Sequence, residues 1–426
     1  MRPAARLQTL SDLLAETLSA TQAADQIVKN WGRANRYAGS KDRRFLSDAL
    51  FTTLRHYGGL RERLGTDDPL LICMLAYVSC FDEALPLDEV LALADGQNYA
   101  PAPLSEAQQE ILRDALVRPA TSRAGQLNVA DWMLDDLDAG LGAACDEVLA
   151  AMATRAPLDV RVNRLKADAD TALSALRDEG FEAAAHGHID GALRVALPAN
   201  VSQSKAFTDG LIEIQDAGAQ AVALLGDAQA GDTLLDYCAG AGGKALALAA
   251  SMGNRGRLIV HDGDRRRMRP ITQRAERAGV SIIETGDETL LATLEQGCDV
   301  VVADVPCSGS GRWRRAPETK WRLTPQQLMD LNQLQLEILL EAARYVRPGG
   351  RLVYATCSVF ASENAAIIEQ FLAAQPSFHR HTTALKALGF QQANAGLGEV
   401  QLHPLNYNTD GLYCAILGCK ELPASA

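Results

Sequence analysis

No stretch of eighteen consecutive apolar residues occurs in this chain. The longest candidate, LLICMLAYVSCF from Leu70 to Phe81, is too short to cross a bilayer, and the first residues lack the basic-then-apolar pattern of an export signal. No membrane association is therefore expected, and a cytoplasmic location is. Cysteine pairs are missing as well. The 9 cysteines form no CxxC and no Cys/His grouping at metal spacing, and their odd number argues for free thiols, so neither a metal site nor a disulfide framework is expected. Internal repeats and low-complexity tracts are also absent. With 47% hydrophobic and 22% charged residues over 426 positions, the chain has material for two or three globular domains rather than for a fibrous or disordered protein.

Positive charge is scarce overall, and a formal net charge of -12 taken alone argues against nucleic acid. The distribution reverses that reading. Residues 1–65 carry 11 Lys and Arg against 6 Asp and Glu, whereas residues 66–150 carry 3 against 16. One acidic block hides a basic N-terminal region, and local patches rather than the total decide nucleic-acid binding.

Residues 1–145 read as helices only, with apolar positions at helical spacing in LSDLLAETLSATQAADQIVKNW and RFLSDALFTTLRHY and a turn and helix start at Gly39–Asp42. Residues 146–208 read as a small α/β module: PLDVRVNRLK alternates like a strand, ADTALSALRDEGF like a helix closed by glycine, and DGALRVAL like another strand. From residue 209 to 426 strand and helix alternate. DTLLDYC, RGRLIVHD, CDVVVADV and GGRLVYAT are apolar runs of the kind buried in a sheet covered on both faces, which predicts an α/β, doubly wound sheet with ligands at the carboxyl ends of its strands.

Three motifs fall at such ends. DYCAGAGGKA places Asp236 before a turn containing Gly240, Gly242 and Gly243, where a backbone can approach a ligand closely and a helix N-terminus favours an anionic group. It fits neither a dinucleotide fingerprint nor a P-loop, since Ala245 follows Lys244. Asp262, at the end of the next strand, is where a ribose diol would be held, so the pair favours a nucleoside-type cofactor. DVPCSGSG sets Asp304 and Cys307 at a third strand end, in an irregular loop that is a poor place for a structural thiol, and YATCSVFASEN sets Cys357 at a fourth, before a helix expected to start at Ser362. Two thiols at neighbouring strand ends beside a nucleoside cofactor suggest covalent chemistry.

In order and spacing these motifs resemble the signatures of the Sun-type RNA cytosine-5 methyltransferases. The resemblance spans about residues 157–417, taking in PLDVRVNRLK, IEIQDAGAQ and DGLYCAIL, and RANRYAGSKDRRFLSDALFTTLRH (Arg33–His56) looks like the all-α NusB-like domain of the bacterial, RsmB-like ribosomal RNA branch. It implies a Rossmann-like methyltransferase sheet, S-adenosyl-L-methionine as cofactor, and a monomer acting on RNA, most readily 16S ribosomal RNA. It further implies Cys357 as the nucleophile, Cys307 assisting release, and Asp304 against the cytosine edge and the cofactor. The cofactor would be held by Cys238, Ala239, Gly240, Ala241, Gly242, Gly243 and Lys244, with Asp262 on the ribose and Asp287 on the adenine side. Spacing alone leaves open which thiol attacks, since a Pro-Cys pair also carries the nucleophile in DNA cytosine-5 methyltransferases.

The basic run Arg312, Arg314, Arg315 and Lys320 suits phosphates, while Trp313 and Trp321 could stack on bases or anchor the loop. Lys29–Arg44 offers a second basic strip. Two departures from the family pattern occur: Gly240-Ala241 stands in place of Ala-Pro, and Ala245 in place of Thr or Ser. They bear on cofactor affinity more than on reaction type. Transfer RNA is the alternative substrate, and a catalytically weak RNA-binding assembly factor the alternative class.

Overall fold

The computed structural model describes residues 1–381 and 398–421, so 382–397 and 422–426 of the domain expected over 209–426 lie outside the described residues. The chain divides into two compact units. One holds Met1–Asp138, Ala143–Arg155 and Arg312–Pro325, and the other holds the remainder. This departs from the expected continuous first domain ending at residue 145, because a segment from far down the chain belongs to it.

The first unit is helical. Its core gathers Leu7, Leu10 and Leu14 from the helix Pro3–Ser19, Leu46, Leu50 and Leu54 from Ser40–Leu64, and Leu71 to Tyr77 from Pro69–Ser79. The last of these is the longest apolar run in the sequence; it starts at Asp68, whose carboxylate accepts from the Leu70 amide at 2.9 Å, and it is buried on nearly every side. Among the described residues no helix is long and apolar enough to cross a membrane.

Arg312–Pro325 is built into this unit through polar anchors. The Trp321 indole donates to the Leu54 carbonyl at 2.7 Å, and its ring lies 5.1 Å from that of Tyr57. Arg322 donates to the carbonyls of Thr17 and Gln22. The helix Ala24–Ala34 has no side-chain cap of its own, and Glu318 supplies the acceptor for its first amide, Ala24 N, at 3.0 Å.

The second unit contains two sheets. In the smaller, β1 (Leu158–Val162), β2 (Ala183–Ala185), β3 (Ala192–Val195) and β4 (Ile212–Ile214) pair antiparallel in the order β2-β3-β1-β4. The small module thus runs past the expected boundary at 208, because Ile212–Ile214 completes its sheet against β1. Asn163 Nδ2 joins it to the rest of the unit by donating to Gly210 O and, across the larger domain's edge, to Ala278 O at 2.8 Å.

The larger sheet comprises β5 (Thr233–Asp236), β6 (Arg257–Val260), β7 (Ile283–Thr285), β8 (Cys298–Asp304), β9 (Val346–Thr356), β10 (Phe378–Arg380), β11 (Glu399–Leu402) and β12 (Leu412–Cys419). Its order is β10-β12-β9-β8-β5-β6-β7, with β11 paired to β12; β5 to β9 run parallel, and β12 returns antiparallel along β9. This is the expected α/β, doubly wound, Rossmann-like arrangement. From β5 the chain proceeds outward through β6 and β7, then crosses back to β8, so the crevice between the ends of β5 and β8 is the topological switch point where such sheets bind ligands.

If Arg312–Pro325 is structural in the helical unit, Trp321→Ala should lower stability by about 2–3 kcal/mol. Urea denaturation followed by helical circular dichroism measures this, and a loss under about 0.5 kcal/mol would mean that the segment merely rests on the surface.

Candidate active site

Beyond Asp236 the chain turns into the helix Gly243–Ser251. Gly240 and Gly242 take φ of +51° and +81°, the left-handed region, and a Cβ on Gly242 would come within 2.9 Å of Ile271. Cys238 and Ala239 are buried in the turn, Ala241 O accepts from Arg274, and Gly243 O accepts from Arg161 at 2.7 Å. Asp262, 4% exposed, receives Gly240 N and Asp264 N, both at 2.9 Å, and pairs with the half-exposed Arg267 at 3.1 Å. The turn and the β6 end are therefore locked together through one carboxylate. Asp287 follows the neighbouring β7, exposed, with Oδ1 capping the helix Glu288–Ala292 through Leu290 N.

Charge is concentrated at the switch point. Lys244 pairs with Asp304 at 2.6 Å, with 11% of the lysine side chain exposed. Burial pushes the lysine down, but Asp304, Cys357 and Asp236 together hold it above its ordinary value. Asp236 is 1% exposed, and neither of its oxygens finds a hydrogen-bond partner of normal geometry among the described residues. Burial first, and then the charge of Asp304, push its carboxyl up to about 7.

The register of β8 on β9 sets Asp304 opposite Ala355, and a few residues further on the two cysteines meet, Sγ to Sγ at 3.3 Å. The hydrogen bond with Cys357, and then burial, drive the Cys307 thiol well above its ordinary value. Both glycines of the Cys307 loop have a physical reason. Gly309 takes φ of +70°, and a Cβ on Gly311 would lie 1.8 Å from the Gly411 carbonyl oxygen. Gly311 N also donates to Cys357 O at 3.0 Å, which ties one cysteine loop to the other.

The helix after Cys357 starts at Ala365, following a turn at Ala361–Glu363, rather than at Ser362. The reason is that Glu363 and Asn364 point inward: Asn364 binds Thr356 Oγ1 and Gln401, and Glu363 is wholly buried against the cysteine loops.

A family model described as 16S rRNA methyltransferase RsmB/F matches residues 223–418, and one described as an RsmF/B-like ferredoxin-like domain matches 129–202. Ribosomal RNA small subunit methyltransferase B of Klebsiella pneumoniae is 33% identical over 274 residues, covering 63% of this chain and 63% of that protein. The protein of that name from Sodalis glossinidius is 31% identical over 322 residues, covering 75% of this chain and 69% of its own length. The chain belongs to the RsmB/F family. Against the Klebsiella relative the match spans less than two thirds of that protein. Among solved structures, PH0851 superposes with a TM-score of 0.75 at 22% identity over 98% of this chain and 99% of that one. NSun6 from Pyrococcus horikoshii with SFG gives 0.61 at 16% identity over 69% and 99%. At these identities both speak for the fold.

In this RsmB/F chain the expected phosphate run needs correction. Arg314 is 7% exposed and Lys320 4%, Lys320 lying 5.4 and 4.8 Å from the rings of Trp313 and Trp321, so neither cation forms part of an exposed strip. Burial, and then Arg55, lower Lys320 to about 7. Arg312 is exposed and Arg315 partly so. Trp313, 2% exposed, is a packing residue. The buried Glu363 escaped the sequence reading, with the SEN turn as its only signal, and Asp236, read there as the strand end before the glycine turn, was given no role of its own.

Asp236 makes this family member pH-sensitive. An acid whose pKa is raised on folding contributes stability that is present below its ordinary value of 3.8 and is lost as pH rises through about 7. Asp236→Asn should therefore be more stable than wild type at pH 8, by about 2–4 kcal/mol, with the advantage gone by pH 4. Chemical denaturation across that range checks it; a gain independent of pH would show that Asp236 is ionised throughout.

Proposed function

We propose that this chain methylates carbon 5 of a cytosine in RNA, with S-adenosyl-L-methionine as methyl donor and 16S ribosomal RNA as substrate. The observation that carries the reading is the pair of thiols in contact at 3.3 Å beside the Lys244–Asp304 ion pair. Family membership and the names of the relatives support the substrate class.

The residues present suit the donor. Gly240 and Gly242 supply the left-handed backbone that the tight turn before the helix needs, the Asp236 carboxylate at the strand end suits a positively charged group, and Asp262 suits a ribose diol, which would displace Arg267. Asp287, one strand further out, would lie on the adenine side. When bound, S-adenosyl-L-methionine supplies an electrophilic methyl group.

The protein's own work is to make a poor carbon nucleophile reactive. Carbon 5 of cytosine gains nucleophilic character when a thiolate adds to carbon 6. Cys357 suits that role because the Lys244 ammonium lies near enough to favour its anion, an effect registered in the lysine's own raised pKa. Asp304, held by Lys244, would accept from the base edge. After methyl transfer, carbon 5 gives its proton to water and the carbon–sulfur bond breaks, its electron pair returning to the Cys357 sulfur. Cys307, held in its neutral form against Cys357, has a proton to donate toward the departing sulfur.

A residue that makes the bond and one that helps break it fail differently. Cys357→Ala should give neither 5-methylcytosine nor a protein–RNA adduct, whereas Cys307→Ala should accumulate a methylated adduct that survives denaturing electrophoresis. The opposite pattern would make Cys307 the nucleophile, and full activity in both would remove covalent catalysis.

For RNA contact, the strip on the helical unit replaces the buried run. Arg33, Arg36, Lys41, Arg43 and Arg44 are exposed there around Tyr37, itself 71% exposed. Arg36→Glu with Arg44→Glu should weaken RNA binding about tenfold and flatten its log–log salt dependence by about 1–2. Unchanged affinity across a salt titration would put the RNA path elsewhere.

A further inference from the structure

Glu363 is 0% exposed, and a buried carboxylate is costly unless its oxygens are satisfied. Its four donors are sorted by chemistry. Oε1 accepts two N–H groups, from the Ser308 amide at 2.8 Å and Gln335 Nε2 at 2.9 Å, while Oε2 accepts two hydroxyls, those of Ser308 and Ser358.

These donors come from significant places. Ser308 follows Cys307 and Ser358 follows Cys357, so one carboxylate grips the residue after each thiol. Gln335 donates from the same Nε2 to the carbonyl of Pro306, the residue before Cys307, at 2.9 Å, so the Cys307 loop is held on both sides. Ser310 Oγ lies 2.9 Å from Ser358 Oγ and accepts from Val359 N at 2.9 Å, and the Tyr354 hydroxyl holds the Glu363 backbone carbonyl at 2.6 Å. Such a network orders the loops only while every member is satisfied.

We propose that Glu363 is a positioning residue that sets the spacing of the two thiols, its single carboxylate clamping the loop after each cysteine. The inference rests on the reading that these thiols carry the chemistry. Glu363 touches no reacting atom; it acts through Ser308 and Ser358. Its contribution belongs to turnover rather than to binding, because misplacing a thiol by an ångström affects the reacting geometry and leaves the RNA and cofactor surfaces alone.

The arrangement predicts an unusual ordering of variants. In Glu363→Gln the amide oxygen can keep the two N–H donors, and the amide nitrogen can donate to the two serine hydroxyls, which accept as readily as they donate. Glu363→Ala loses all four bonds. Ser308→Ala combined with Ser358→Ala loses the hydroxyl half while leaving the core packing intact.

The test on the full-length protein uses a ruler that needs no RNA. Diamide accepts two electrons and two protons from a pair of adjacent thiols, becoming the hydrazine and leaving a Cys307–Cys357 disulfide, whose rate of formation peptide mass mapping follows. Glu363→Ala and the double serine variant should form it at least tenfold more slowly than wild type, with melting temperature retained in the serine variant. Glu363→Gln should stay within about threefold of wild type. In RNA methylation, kcat should fall at least tenfold in the slow variants with KM for RNA unchanged. Wild-type rates of disulfide formation in the double serine variant, whose fold is retained, would overturn the clamp. So would a loss confined to KM. A wild-type protein that forms the disulfide rapidly, with the variant ordering above, but methylates no cytosine would uphold the clamp and refute the methyltransferase reading.

Discussion

The site depends on the parallel pairing of β8 with β9. Two strands that run the same way deliver their ends to the same edge, and the register that sets Asp304 opposite Ala355 decides which residues arrive there together. Both strands are buried on two faces, so a slip of one residue would turn every side chain to the wrong layer, and the register is strongly specified. The helix Pro325–Ala343 makes the crossover between them and also contributes Gln335, which reaches the Cys307 loop. The element that permits the parallel pairing thus also holds one of the loops that the pairing brings together.

At that edge the surroundings of the two sulfurs are unequal although the atoms are in contact. Lys244 is anchored by Asp304 and lies near Cys357, while Cys307 is pushed toward its neutral form by its neighbour and by burial. Burial first, and then the charge of Asp304, make Asp236 take a proton more readily than an ordinary carboxyl, with Lys244 opposing them. In the proposed reaction this inequality divides attack from release between two otherwise identical side chains.

The helical unit is completed by a piece of chain inserted between β8 and the crossover helix. Glu318 caps a helix that lacks its own cap, Trp321 fills a place beside Tyr57, and Lys320 is enclosed between two indole rings. A lysine so placed costs desolvation energy that the ring faces only partly offset, which is why its pKa falls. The burial converts what reads as a phosphate-binding run into a structural fastening.

The amino-acid sequence by itself determined the class of the larger sheet and the positions of its chemistry. The runs DTLLDYC, LIVHD, CDVVVADV and RLVYAT are apolar on both faces, as only buried parallel strands need be, and the glycines and cysteines follow their ends directly, so local pattern sufficed. Tertiary structure decided the rest. Ile212–Ile214 is three residues long and joins the small sheet only because β1 offers an unpaired edge. Arg314, Lys320 and the two tryptophans have the same composition whether they face phosphates or a helix bundle, and their partners lie far off in the chain, as with Trp321 on Leu54, 267 residues away, and Arg314 on Arg155, 159 residues away. Glu363 looks like an ordinary acidic residue in a helix-start turn. Its meaning comes from Ser308, 55 residues earlier and on another strand end, because a hydrogen bond between chain segments is set by where the sheet places them and not by any pattern either segment carries alone.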